Sequence, residues 1–438
     1  MRARLRLVTA LVVVAIGTAL FAVAFRASLA LLYRAVYGAA NVVDAVTTLS
    51  PALRIAVPLA GATVAGLIAS FRRGAGQNVS NVMEAVALGN VRLSLRATLV
   101  RVAASWSAIA GGLSIGREGP LIEFGGSLGA ACGRLVGASL NRTRALVAAG
   151  TAAGFAAAYN TPFAAVLFVL ETMVGIAALE ALLPIMVATV IATSIMRGLV
   201  GGGPIYGQRL FVLASPMEVL SCGALGVIAA AGALMFKQLL AFFEGWLAEH
   251  PIPQPWRAAL GGLLVGVIAV AVPDVAGNGY EPLNRLLDGS VIAETLIILM
   301  IAKMLATSGS VASGVPGGVF TAVLLIGGVI GSLWGHVATW AWGSPAATAG
   351  SYALVGMAAT TAASIHAPLT AAVLVFELSG DYGIVLPLLF ATVVATLLSR
   401  ALRSDSVYEA ELKRRGIRWE LTLEGRIRPS GGDTGVGS

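Results

Sequence analysis

The sequence predicts an all-α polytopic membrane protein, built as two homologous halves whose broken helices meet near the bilayer midplane. Three observations carry this: a composition too apolar for water, charge-poor runs of spanning length, and an internal repeat punctuated at matching positions. Of 438 residues, 58% are hydrophobic and 11% charged, and mean hydropathy is +0.88, whereas a soluble domain carries about 25% charged residues. The runs 7–25, 54–71, 182–196, 216–236, 258–273, 291–302 and 384–399 are nearly free of charge. The longest match a bilayer crossing of roughly 20 helical residues, and the shorter ones need neighbouring helices. The alternating pattern of a membrane barrel is absent, so helices must satisfy the backbone in lipid. Glycine is abundant at 53 residues, which lets helix backbones approach closely where lipid gives no hydrophobic drive.

Much of the net charge of +8 lies in two tails, MRARLR at the start and LKRRGIRWELTLEGRIRP from Leu412. Each abuts a hydrophobic run, so the positive-inside rule accounts for both without a nucleic-acid partner and places both termini in the cytoplasm. An even number of crossings follows. No small-residue cleavage site closes a short apolar stretch after MRARLR, and the segment reads as an uncleaved first helix. Cys132 and Cys222 sit in apolar surroundings and imply neither a disulfide framework nor a metal site. His250, His336 and His366 show no ligand spacing. A membrane-embedded enzyme would need a nucleophile, metal ligands or paired acids, so no enzymatic activity and no cofactor are expected.

The repeat is read by laying GTAAGFAAAYNTPFAAVLFVLE (150–171) over GMAATTAASIHAPLTAAVLVFE (356–377). Gly150 meets Gly356, Pro162 meets Pro368 and Glu171 meets Glu377 without a gap. Upstream of each copy lies a glycine-rich break followed by a short apolar helix, SIGREGP (114–120) and ASGVPGG (312–318). Paired, interrupted hydrophobic segments in two halves point to a transport site near the midplane. The halves run over residues 1–205 and 206–410, followed by a short basic tail, 411–438, expected in the cytoplasm.

Three breaks open helices inside the membrane: GAGQNVSN (74–81), SIGREGP and ASGVPGGVF (312–320). A helix start leaves amides without intrahelical partners and carries partial positive charge, so it can bind an anion without a full countercharge. For any one break, close packing or a kink is the simpler reading; three together point to an anion pathway. Glu118 is the informative residue, since a carboxylate in the membrane is costly and faces a cavity or a partner. Ionised at an anion-binding helix start, it would act as a tethered anion, and protonated it would swing out, serving as gate and proton carrier. The alternative is an ion pair with a distant arginine or with Lys303. Arg117 is adjacent in sequence and does not face it on a helix.

These residues resemble the CLC family of anion channels and anion/proton antiporters. GREGP (116–120) is a complete family signature, and SGVPGGVF (313–320) is similar to the second anion-binding loop, with Ala322 where the pattern has proline. YNTPFAAVLFVLETM (159–173) and HAPLTAAVLVFEL (366–378) resemble the helix pairs that follow in each half, and DSVYEAELKRRG (405–416) resembles the last helix. The resemblance implies inverted halves, a homodimer in the bilayer with one pore per subunit, and transport of chloride or a similar monovalent anion, with protons as the coupled ion. With about 30 residues after Tyr408, it implies no cytoplasmic regulatory pair. A bacterial inner membrane is the expected location. Carried residue by residue, Glu118 is the external gate. Val319 and Phe320 offer amides, as do residues around Gly119, including Gly116 and Arg117. Tyr408 gives its hydroxyl to the central anion, an interfacial belt tyrosine being the other reading.

Two positions depart from the pattern. GQNVS (76–80) lies over the family's GSGIP, so Gln77 stands in place of the central serine, with Asn78 and Ser80 in place of glycine and proline. Chloride-preferring members carry serine there and nitrate-selecting members proline; Gln77 can donate through its amide nitrogen, which keeps anion binding and leaves the anion open. Pro120 and Tyr408 count against the fluoride subtype. LETM (170–173) places Thr172 at the internal proton-relay position, where antiporters have glutamate and channels an apolar residue. Glu171 beside it is the substitute acid. Coupled antiport is the expected mode; a voltage- or pH-gated passive channel of the same family, or a transporter of nitrate or fluoride, is the alternative.

Overall fold

The computed structural model describes residues 1–71, 78–175, 179–207, 217–288, 291–342, 349–402, 404–417, 420–422 and 425–427. The first half contributes α1 (Arg2–Leu32), α2 (Val42–Thr48), α3 (Pro51–Ser70), α4 (Asn78–Leu88), α5 (Leu95–Ala110), α6 (Glu118–Leu135), α7 (Leu140–Tyr159), α8 (Pro162–Val169) and α9 (Leu179–Leu199). The second contributes α10 (Met217–Glu249), α11 (Gln254–Ala271), α12 (Tyr280–Leu287), α13 (Ala293–Ala312), α14 (Phe320–Trp342), α15 (Ala349–Ile365), α16 (Pro368–Ser379) and α17 (Val385–Ala401). The short α18 (Val407–Arg414) follows, then a two-stranded antiparallel pair, Glu420–Thr422 with Gly425–Ile427. All seven charge-poor runs fall on helices, and seven helical segments among the described residues are long and apolar enough to cross a membrane.

Local chemistry sets the breaks. Pro51, Pro162 and Pro368 each open a helix, where the missing N–H has no intrahelical partner to lose. α7 and α15 each end on the residue before a left-handed one, Asn160 and His366, both at φ 57° and equivalent in the repeat. α8 follows α7, and α16 follows α15, after that corner. The first copy continues past α8 through a π-turn, Leu170–Val174.

The equivalent segments also pack equivalently. A Cβ on Gly150 would stand 2.0 Å from the Gly125 carbonyl oxygen, and one on Gly356 would stand 2.2 Å from that of Gly327. Glycine therefore sets the contact of α6 with α7 and of α14 with α15. The two acids that close the repeats are exchanged between them. Glu377 accepts from the amides of Phe163 (3.1 Å) and Ala164 (2.8 Å) at the start of α8. Glu171 accepts from Leu369 (3.1 Å), Thr370 N (2.6 Å) and Thr370 Oγ1 at the start of α16. Each half thus neutralises the orphan amides of the other's helix start, the reciprocity that a two-fold relation produces. The boundary expected between residues 205 and 206 is followed by residues 208–216, which lie outside the described ones.

Candidate anion pathway

The breaks SIGREGP and ASGVPGGVF meet at the centre. Gly116 N donates to Gly318 O at 2.7 Å and Gly318 N to Gly116 O at 3.0 Å, a single antiparallel bridge joining the two halves. It fixes the start of α6 against the start of α14. Between them lies the carboxylate of Glu118, 2% exposed. It accepts from Phe320 N at 3.1 Å, Thr321 N at 3.4 Å and Thr321 Oγ1 at 3.3 Å. The Thr321 hydroxyl also bonds Tyr159 OH at 2.9 Å, so the carboxylate, the threonine and the tyrosine form one chain. Here the lack of a side chain matters: a Cβ at Gly116 would lie 2.1 Å from both carboxylate oxygens, and one at Gly318 2.3 Å from Oε1. Only glycine at these two positions leaves room for the acid.

Glu118 separates two voids and lines both. The first, on the side away from α18, is pinched to about 10 Å³ by Arg117, Tyr159, Tyr206, Tyr280 and Thr321. Beyond it opens a vestibule of about 770 Å³ whose wall includes Arg26, Arg117 and Asn160. The second void, of about 40 Å³, is bounded by Val79, Ser80, Val319, Tyr408 and Glu411. A site needs roughly 10–15 Å³ to hold one water, so this space admits a small ion or a few waters. Aromatic rings brace the site: Phe320 stands 5.5 Å from both Phe155 and Tyr159, and Phe168 stands edge-on to Tyr408 at 6.3 Å.

The expected residues distribute as follows. Glu118, Phe320, Val319 and Tyr408 converge; Tyr408 is buried and faces the 40 Å³ void, not an interface. The carboxylate takes the amides of Phe320 and Thr321, and the Val319 carbonyl, just before α14, receives Val323 N at 3.0 Å. Gly116, expected among the anion-binding residues, donates its amide to Gly318 O, and its missing Cβ leaves space for the Glu118 carboxylate. Gly119 is buried in the first turn of α6. Arg117 is the N-cap of α6 and borders the vestibule and the narrow void, so it lines the approach to the site. Asn78 opens α4; Gln77 lies outside the described residues. Lys303, the alternative partner for Glu118, is fully buried and donates to Val275 O at 3.0 Å and Gly277 O at 2.8 Å.

Thr172 is buried, and its hydroxyl donates to the Phe168 carbonyl of its own helix. Neither Thr172 nor Glu171 lines either void beside Glu118, and Glu171 is held at the start of α16. Sequence reasoning missed Thr321, Tyr159 and Glu411. Thr321 could have been found as the residue after the loop motif. Glu411 could have been found as the acid three positions after Tyr408, on the same helix face.

Comparison with known proteins agrees with this geometry. The family model described as voltage gated chloride channel matches residues 60–400. A ClcB-like protein of Ralstonia nicotianae is 38% identical over 371 residues, covering 82% of this chain and 86% of the relative. A voltage-gated ClC-type chloride channel, ClcB, of Citrobacter koseri is 34% identical over 375 residues, covering 84% and 89%. Among solved structures, a slow cyanobacterial Cl⁻/H⁺ antiporter superposes with a TM-score of 0.83 at 23% identity, covering 94% of this chain and 98% of that one. A CLC-type fluoride/proton antiporter superposes at 0.65 and 19% identity, covering 92% and 98%. The fold, the broken helices around Glu118 and these relatives lead to one conclusion: this chain is a multi-pass integral membrane protein of the voltage-gated chloride channel, or CLC, family.

Proposed function

We propose that this protein exchanges a monovalent anion, chloride foremost, for protons across a bacterial inner membrane, with Glu118 as the gate. One observation carries the reading: the Glu118 carboxylate occupies the amides that open α14 and lines the voids on both sides of it. A carboxylate there competes with an anion for the same donors. Ionised, it holds the site closed; protonated, it loses its charge-assisted bonds, swings toward the vestibule and carries its proton with it. The anion then rests against the same amides, with Tyr408 below it and with Gln77 and Asn78, by their place in the sequence, as further contacts. In this reading the α18 side is cytoplasmic, because Lys413, Arg414 and Arg415 cluster there. Both termini lie on that side, residues 1–205 and 206–410 form the two halves, and the protein is a homodimer with one pathway per subunit. Relatives named chloride channels favour chloride over nitrate or fluoride.

A second reading, a passive channel, is favoured by Thr172, whose hydroxyl is turned to its own backbone. Simultaneous chloride and proton flux from reconstituted liposomes decides between them. Antiport predicts that an outward chloride gradient drives protons inward against their gradient; a channel moves chloride alone. Liposomes that retain chloride, nitrate and fluoride gradients like empty ones would remove both.

A further inference from the structure

The vestibule of about 770 Å³ is walled in part by three charged side chains. They are Arg26 on α1, Arg117 at the N-cap of α6 and Glu281 in the first turn of α12. Arg26 stands out in the sequence. The charge-poor run 7–25 ends on it, and it lies toward the end of α1 opposite the basic MRARLR tail. The positive-inside rule gathers arginines on the cytoplasmic side, so an arginine at the opposite end of a spanning helix calls for a function.

The other polar groups of that wall are engaged. Tyr33 OH donates to Ile109 O at 2.8 Å, and Tyr280 OH donates to Ile205 O at 2.7 Å. The Asn41 amide donates to Asp44 Oδ2 at 2.7 Å. Asn160 donates to Gly203 O at 3.2 Å and accepts from Arg197 Nε at 3.1 Å. Arg26 and Arg117 differ from these. Among the described residues neither guanidinium has a hydrogen bond or an ion pair, and their two positive charges repel one another. Both are half-buried, so salt screens that repulsion less than it would at the surface. Glu281 is attracted to Arg117 and to the buried Lys303, yet its Oε2 is buried with no hydrogen-bond partner. Two arginines against one carboxylate leave a positive surplus, whether Glu281 is ionised or protonated.

We infer that Arg26 and Arg117 form an outer anion-binding site in the vestibule, which takes a monovalent anion one step before the amides that Glu118 occupies. This rests on the anion-transport reading above. An anion between the two guanidiniums replaces a repulsion with two charge-assisted contacts. Arg117 and Tyr280 border both the vestibule and the narrow void beside Glu118, so an anion leaving this site has the gate directly before it. Ionised Glu281 in the same wall weakens the hold, and conduction requires that each site release its ion.

The test has two arms. Bromide-soaked crystals of wild type, Arg26→Gln and Glu118→Ala are searched for anomalous density. Half-saturating chloride is measured from liposome flux in wild type, Arg26→Gln and Arg26→Lys. A bromide peak between Arg26 and Arg117 is expected in wild type and in Glu118→Ala, and it should vanish in Arg26→Gln. Losing one vestibule charge weakens the attraction for a nearby anion by about tenfold. Arg26→Gln should therefore raise half-saturating chloride about tenfold and leave maximal flux unchanged. Arg26→Lys keeps the charge and should return half-saturation to near the wild-type value. A wild-type vestibule empty of bromide, while Glu118→Ala binds it at the α14 amides, overturns this inference alone. Unaltered half-saturation in Arg26→Gln, or a fall in maximal flux in both variants, makes Arg26 a structural residue and overturns it as well. Liposomes that hold chloride like empty ones remove the anion-transport reading and this inference with it.

Discussion

Replacing Glu118 with glutamine keeps the shape of the gate and removes its charge. The carboxylate holds the closed position through three contacts, at 3.1, 3.4 and 3.3 Å. Bonds to an ionised acceptor contribute about 1.5–3 kcal/mol at good geometry; at these longer distances about 1 kcal/mol each is the better value. Glutamine retains one carbonyl acceptor, so roughly 2 kcal/mol of closing preference disappears, which raises the open-to-closed ratio about 30-fold. In wild type, falling pH on the vestibule side neutralises the carboxylate and raises chloride flux. In Glu118→Gln that step is already made. Chloride efflux from liposomes, followed while external pH is stepped downward, should rise in wild type and stay high and flat in the variant. Proton movement should be abolished. A variant whose flux still climbs with acidity as wild type does, or which keeps proton coupling, would refute the reasoning.

Gly318→Ala places a Cβ where the Glu118 carboxylate rests, 2.3 Å from Oε1. The flexible acid must yield, so flux at neutral pH should rise and its pH dependence shrink, as measured in the same efflux assay. If Gln77 reaches the anion, Gln77→Ser should shift preference toward chloride and Gln77→Pro toward nitrate, read as relative fluxes; unchanged ratios in both would exclude the contact. Glu171→Ala removes the cap of α16 and should cost about 1 kcal/mol, as helix caps do, seen as a lower melting temperature in detergent. The proton-to-chloride ratio should be unaltered, and a lost ratio would return Glu171 to the proton path.

The parts of the fold that face lipid were the most legible, because lipid selects for unbroken apolar runs. α1, α3, α9, α10, α11, α13 and α17 all lie under the runs read from composition. α6, α7 and α15 escaped that reading because protein surrounds them. Their small and polar residues, such as Gly125, Ser127, Thr151 and Gly356, are chosen for contact rather than for lipid. The central cluster around Glu118 was legible because GREGP and its echo put a carboxylate and glycines at matching breaks. What completes the site was not. Ser80 and Glu411 lie 331 residues apart, and Glu118 lies 203 residues from Thr321; no spacing or periodicity relates positions that only folding brings together. Glu171 shows the same limit: its place beside Thr172 suggests the proton path, and its carboxylate also caps the opposite half's helix start, a contact made only in three dimensions.

Coupling is the central claim, and uphill proton movement tests it most directly. Liposomes containing the wild-type protein are loaded with high chloride, diluted into low chloride, and followed with a pH electrode in weakly buffered medium. Antiport predicts that the medium becomes alkaline as chloride leaves and protons enter against their own gradient, with the signal abolished in Glu118→Gln. Brisk chloride efflux with a medium that stays at its starting pH would contradict it.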